Sequence, residues 1–324
     1  MVCWTRKLSR RCVWTGAVIG AFLHSHSLRT SRLVRPFTQL TCRAPSQLHG
    51  TRCFREAAAQ THPSASGAES ALELGAISES RFCHGWSIHQ LEAGYRYCAD
   101  DVLCAHFALR AAPFAKNMLD LGSGIGTIGL LWLAQQPKPW TPAMVTMMEA
   151  QTVSVELCRR TLEKCGIPAD VVRIVHGDLR DKPVGRYDVI TANPPYMKRG
   201  SGNLPRNVQK AHCRHELRGS LRDFCQAAAE HLTANGTFCL ILNSPREAEA
   251  MDIVTSCGLR IWERKGVFFR GARKSFALIC RLSTASTDVA GPLEAEDVHV
   301  FEPDGSWSPG YLQYASSWVS ECCS

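Results

Sequence analysis

The chain has sixteen cysteines but no Cys-x-x-Cys spacing, and its one adjacent pair, Cys322-Cys323, lies at the extreme C-terminus. That gap removes the usual signature of a zinc site or a redox dithiol. Cys104, Cys225, Cys239 and Cys280 fall inside apolar runs, where a thiol behaves as a small hydrophobe. Reduced thiols and no bound metal are therefore expected. Internal repeats are missing as well. The apolar run from Cys12 to Leu23 spans twelve residues, short of the about 20 that a bilayer requires, so no stable membrane insertion is expected. Acidic residues are absent from residues 1–55, which carry ten Lys/Arg. The remainder holds 27 basic and 29 acidic residues, so the net charge of +8 belongs to the N-terminus and says little about the folded part.

What is present at the N-terminus reads as an address. Arg6, Lys7, Arg10 and Arg11 precede the short apolar run, and Arg29, Arg32, Arg35 and Arg43 follow in a Ser/Thr-rich stretch. This fits an organellar leader, mitochondrial or plastid, including a two-part signal for secretion and then a plastid. A basic tail that binds RNA weakly is the alternative. Ser64, Ser66, Gly67 and Ser70 mark a linker. The predicted divisions are a leader and linker at 1–80, a folded domain at 82–283 and a weakly structured tail at 284–324. Composition, 45% hydrophobic and 20% charged, is that of an ordinary globular protein.

The folded part alternates strand and helix. Strands are predicted at Asn117–Leu121, Met144–Met148, Val171–Val175, Tyr187–Ala192, Thr237–Leu242, Leu259–Glu263 and Phe276–Leu282. Helices are predicted at Thr127–Gln136, Gln151–Cys165, Leu221–Leu232 and Pro245–Cys257, the second stopped by Gly166 and Pro168. Repeated βα units imply an α/β fold with a doubly wound, mostly parallel, seven-stranded Rossmann-like sheet.

The turn after the first of these strands, Asp120-Leu-Gly122-Ser-Gly124-Ile-Gly126-Thr-Ile-Gly129, admits two cofactors. Its Gly124-x-Gly126-x-x-Gly129 spacing satisfies a dinucleotide fingerprint. Its Asp-x-Gly-x-Gly-x-Gly form is that of S-adenosylmethionine enzymes. Both want an acid at the end of the next strand, which Glu149 supplies for ribose hydroxyls. Asp178, after the following strand, is placed to accept from an adenine amino group, or else to cap its own turn.

The fourth strand runs into Asn193-Pro194-Pro195-Tyr196. Two prolines remove two backbone donors and stiffen the exit. An aromatic or amide NH₂ is a weak nucleophile because its lone pair is delocalised. Two acceptors aimed at its hydrogens favour the pyramidal form that attacks a methyl group. The Asn193 side-chain oxygen and the Pro194 carbonyl are the predicted pair, and Tyr196 offers a flat face for a planar group. Hydride transfer has no use for this arrangement, so S-adenosyl-L-methionine is the expected cofactor, with no metal.

From about His89 to Leu282 these residues together resemble the bacterial-type tRNA1(Val) adenine-37 N6-methyltransferase family, within the class I S-adenosylmethionine-dependent fold. Gln90–Leu103 is similar to its opening segment, with Asp100 at an acidic cofactor position. The glycine turn, Glu149-Ala-Gln151, Gly177-Asp178 and Asn193–Tyr196 follow in family order. Lys198, Gly200-Ser-Gly202 and Arg214-His215-Glu216 are the more specific matches, and Asp304–Pro309 resembles a closing segment. Asp101, Cys104 and His106 depart from the Ser, Leu and Asp expected there, and Asn243–Arg246 replaces a more basic segment. The resemblance implies methylation of adenine N6 in RNA, most simply a tRNA and position 37; separately, a monomer is expected. A glutamine N5-methyltransferase acting on a release factor shares the Asn-Pro-Pro-Tyr motif and stays open. So does a non-catalytic S-adenosylmethionine- and RNA-binding factor.

Two basic runs are candidate RNA contacts. The first holds Lys198, Arg199, Arg206, Lys210, Arg214, Arg218 and Arg222, of which Lys198, Arg199 and Arg214, with His215, are the predicted substrate-binding residues. His215 can alternatively organise its own loop. The second holds Arg264, Lys265, Arg270, Arg273 and Lys274, with Phe268 and Phe269 interleaved for stacking on bases.

Overall fold

A computed structural model describes residues 74–136, 144–181, 184–282, 293–294 and 296–319. The expected leader lies outside them, apart from its last few residues. There the expected linker gives way to a strand: β1 (Ile77–Arg81) pairs antiparallel with β2 (Ser87–Leu91). Next come α1 (Ala99–Ala111), β3 (Asn117–Leu121), α2 (Thr127–Ala134), β4 (Met144–Glu149), α3 (Thr152–Lys164), β5 (Val172–His176) and β6 (Tyr187–Ala192). The second half holds α4 (Val208–Arg214), α5 (Leu221–His231), β7 (Leu232–Asn243), α6 (Glu247–Ser256), β8 (Leu259–Phe269) and β9 (Ala272–Leu282). Beyond them β10 (Leu293–Glu294), β11 (Val298–His299) and α7 (Pro309–Val319) close the described chain.

The sheet order is β10-β8-β9-β7-β6-β3-β4-β5, with β11 also on β8. Strands β7, β6, β3, β4 and β5 are mutually parallel, and β9 runs antiparallel to both β7 and β8. The seven-stranded reading therefore holds for β3 to β9. Two short strands extend it to nine among the described residues. The tail expected to be weakly structured supplies those strands, which cover the outer edge of β8, and α7, which packs on α1 and β11. An uncovered edge would offer unpaired backbone groups to other chains.

Alternation along the strands fills two layers. Met118, Val145, Val189, Cys239 and Ile241 face α1 and α2, whereas Leu119, Leu121, Ile190, Leu240 and Leu242 face α5 and α6. Buried on both faces, the strands read as nearly continuous apolar runs. The chain winds outward from β3 through β4 to β5, then returns to β6 on the other side of β3. The switch point therefore lies between β3 and β6, where Leu121 registers with Ala192. Ligands of such sheets bind outside the carboxyl ends of the strands at that crevice.

Candidate active site

Every residue singled out along the glycine turn and the next two segments lies at or just beyond the carboxyl end of a parallel strand. Gly122, Gly124 and Gly126 have φ of 64°, 58° and 87°, a left-handed backbone that other residues adopt only with strain. A Cβ on Gly126 would lie 2.7 Å from Cys158 Sγ, and one on Gly129 2.7 Å from Met147 Cε, so helix α2 sits tight on β4. A Cβ on Gly124 would meet no atom within 4 Å, so this side of the turn has room for a ligand.

Acids hold the turn in shape. Asp120, 1% exposed, accepts from Thr191 Oγ1 at 2.7 Å and ties β3 to β6. Burial pushes its carboxyl up to about 7. Glu149 Oε2 accepts from Gly124 N at 2.8 Å and Oε1 from Gln151 N at 2.7 Å. Each oxygen keeps a further lone pair, so ribose hydroxyls can still be accepted. Burial raises this carboxyl too. Asp178 is half-buried and grips Arg180, with Nε on Oδ1 at 2.8 Å and Nη2 on Oδ2 at 2.6 Å. That guanidinium holds its carboxyl below the usual range.

At the end of β6, Asn193 Nδ2 donates to Asp101 Oδ1 at 2.8 Å. An acceptor-only carboxylate fixes which end of the amide faces it. Asn193 Oδ1 is left buried with no partner among the described residues. Pro194 is buried beside it. Tyr196 Oη donates to Asp100 Oδ2 at 2.7 Å, which ties down the ring. Asp100, expected at the cofactor, is thus given to Tyr196, and burial pushes its carboxyl up to about 6. Asp101, read only as a departure from the family pattern, is the partner of Asn193 that sequence reasoning missed. Its signal was an acid at the third helical position, where a capping residue belongs. Cys98 N donates to Asp101 Oδ2 at 2.9 Å, closing a capping box on α1.

A second brace approaches from behind. Met197 N donates to Arg214 O and Glu216 N to Met197 O, both at 2.8 Å. Arg246, 7% exposed, donates to Glu216 at 2.7 Å, to Glu249 at 3.1 and 3.0 Å, and to the Pro195 carbonyl at 3.4 Å. Arg214 and Glu216 therefore clasp the loop after Asn193 through their backbone. His215, between them and 3% exposed, organises this loop and cannot meet a macromolecule as a substrate-binding residue would. Lys198 and Arg199 are exposed beside it, Lys198 paired with Glu249 at 3.0 Å.

The second basic run differs from expectation. Arg264 and Arg273 both pair with Glu247, and Lys265, 4% exposed, pairs with Glu263. Phe268 stacks on His299, and Phe269 packs on Phe301. These half-buried aromatics pack on the C-terminal strap, the segment from β10 to α7, and are not a free stacking face.

The crevice thus has a glycine turn with free space, a ribose acceptor at the next strand end and an amide acceptor across the switch point. This is the site of a class I S-adenosylmethionine-dependent methyltransferase, and the residues present fit that cofactor: the turn leaves room at Gly124, whereas Gly122 and Gly126, expected at the cofactor, lack a Cβ for packing against Phe224 and Cys158, and Glu149 would hold the ribose. When bound it supplies an activated methyl group. Residues 98–258 match the methyltransferase small domain family. The chain is similar to the tRNA1(Val) (adenine(37)-N6)-methyltransferases of Tolumonas auensis (25% identical, 63% of this chain, 82% of that one) and Aeromonas hydrophila (24% identical, 72% and 95%). A Thermus thermophilus 16S rRNA N2-methyltransferase structure, in complex with AdoMet and guanosine, superposes with a TM-score of 0.44 at 19% identity, over 64% of this chain and 50% of that one.

Proposed function

We propose that this methyltransferase transfers its methyl group to the exocyclic N6 amine of an adenine in RNA, most simply a tRNA and its position 37, within an organelle reached by the basic leader. The observation that carries this reading is the buried, unpartnered Asn193 Oδ1 at the switch point. A fixed acceptor there suits a group with N–H to donate. The relatives that the chain resembles carry an adenine N6 activity in their names, which supports the same choice.

The chain's own groups do three things in this reading. Asn193 Oδ1, with the Pro194 carbonyl, accepts the two amine hydrogens and favours the pyramidal nitrogen. Tyr196, its hydroxyl held by Asp100, offers a ring for the base, and such stacking is worth about 1–3 kcal/mol. The exposed cations beside the loop bind phosphates, and the target base reaches Asn193 only when unstacked, which is easiest in a loop.

Mass spectrometry of digested organellar RNA, with and without the protein, tests the substrate. Loss of N6-methyladenosine is expected when the protein is removed. Loss of methylglutamine from a release factor, with RNA unchanged, would replace this reading by the protein-directed one. In vitro, Asn193→Ala should lower turnover at least about a hundredfold while cofactor affinity is unchanged. Collapse of cofactor binding would make Asn193 structural.

A further inference from the structure

We infer that Asp101 is the positioning and selectivity residue of the site: it holds the Asn193 amide nitrogen inward, so that the amide oxygen faces the crevice as a permanent acceptor and the methyl-accepting atom must carry N–H. The inference deepens the amine reading above and rests on it.

Three donors converge on this one carboxylate. Asn193 Nδ2 reaches Oδ1 at 2.8 Å; Cys98 N and Tyr95 Oη reach Oδ2 at 2.9 and 3.4 Å. Because Oδ2 is anchored to the first turn of α1, the carboxylate cannot rotate to release the amide. An amide is nearly symmetric in shape, and without a partner that only accepts, either end could face the crevice. The result is visible in Asn193 Oδ1, which is buried and has no donor among the described residues. Its lost hydration is recovered only when a substrate hydrogen arrives.

Selectivity follows from what that oxygen tolerates. An amine keeps N–H bonds while its nitrogen attacks. A hydroxyl must shed its only hydrogen to become an equally strong nucleophile, and the resulting anion would face a fixed acceptor. The neighbouring acid does the parallel task for Tyr196 at 2.7 Å. Adjacent residues of one helical turn therefore hold the two polar side chains of the motif.

Asp101→Asn is the informative variant. Its oxygen can keep the cap on Cys98 N, but its NH₂ then faces Asn193, whose amide must invert and present NH₂ to the crevice. Asp101→Ser, whose hydroxyl serves either end of the amide, should fall between. We expect Asp101→Asn to lower kcat about a hundredfold, with thermal midpoint and S-adenosylmethionine Kd held. The double variant with Asn193→Ala should be no slower than Asn193→Ala alone. Without any substrate, the side-chain amide protons of Asn193, followed by NMR, should show slowed exchange in the wild type and lose it in both Asp101 variants. Amide signals insensitive to Asp101, or an additive double variant, would overturn the inference. A wild-type enzyme that methylates no RNA yet shows the protected amide would remove the substrate reading and leave the positioning role standing.

Discussion

The basic runs at Lys198–Arg222 and Arg264–Lys274 look alike in sequence, and the fold treats them differently. In the first, Lys198 alone of the seven cations has a carboxylate partner among the described residues. Arg199 and Arg206 stand exposed in the segment after Tyr196. In the second, Glu247 takes Arg264 and Arg273, Glu263 takes Lys265, and Arg270 lies over the Phe301 ring at 5.6 Å. Charge in a segment is therefore not charge on a surface. What decides is the acid brought opposite: α6 starts with Glu247 beside the hairpin β8–β9 and takes two arginines there, whereas of the cations after Tyr196 it takes one, Lys198 through Glu249. Phosphate affinity should reside in the first run.

The largest effect is expected where the two modes meet. Arg246 is a buried cation that braces Pro195 and Glu216, not a surface. Arg246→Ala leaves Glu216, its side chain 10% exposed, without its cation and frees the Pro195 carbonyl. Breaking a buried ion pair from one side costs about 3–5 kcal/mol. Denaturant unfolding should show a loss of that order, and turnover should fall with it. An unchanged midpoint would mean that the clasp through Met197 holds the loop alone.

A smaller, cleaner effect separates the runs directly. Reversing Arg199 and Arg206 to Glu should weaken RNA binding about tenfold or more and flatten the dependence of log affinity on log salt by about one to two units. The same reversals at Arg264 and Arg273 should lower stability, because each would set like charge against Glu247, and should leave the salt slope unchanged. Equal slopes for the two sets would break the comparison.

Much of this was legible in the sequence. Tyr187–Ala192 and Asn117–Leu121 have the predicted bounds, and the glycine turn and Asn-Pro-Pro-Tyr occupy the expected strand ends. Such signals are local: apolar runs, glycines and prolines act on their own backbone. Helix α1 was not predicted, because it packs on α2, the sheet and α7 at once and shows no polar stripe to read. Its acids looked like a polar helix start, and their bonds to Asn193 and Tyr196 span more than ninety residues. The pairing of Arg264 and Arg273 was hidden for the same reason. Glu247 is seventeen residues from Arg264 in sequence, yet 2.5 Å away in the fold.

The smallest expected effect tests whether the second run is silent for want of charge or for want of position. Glu247→Gln keeps the shape of the side chain and removes its charge, so Arg264 and Arg273 lose a carboxylate that is 15% exposed. Partly exposed pairs are worth little, and a loss of about 1 kcal/mol or less is expected in unfolding. If charge alone kept this face from RNA, the variant should bind a single-stranded oligonucleotide more tightly, by about two- to threefold at low salt, with the gain gone at physiological salt. Turnover should not rise, because Arg264 and Arg273 belong to the far hairpin and Phe268 and Phe269 remain packed under the C-terminal strap. A gain in affinity without a gain in turnover would assign productive binding to the loop after Tyr196, where cations and the acceptor oxygen of Asn193 lie on one segment.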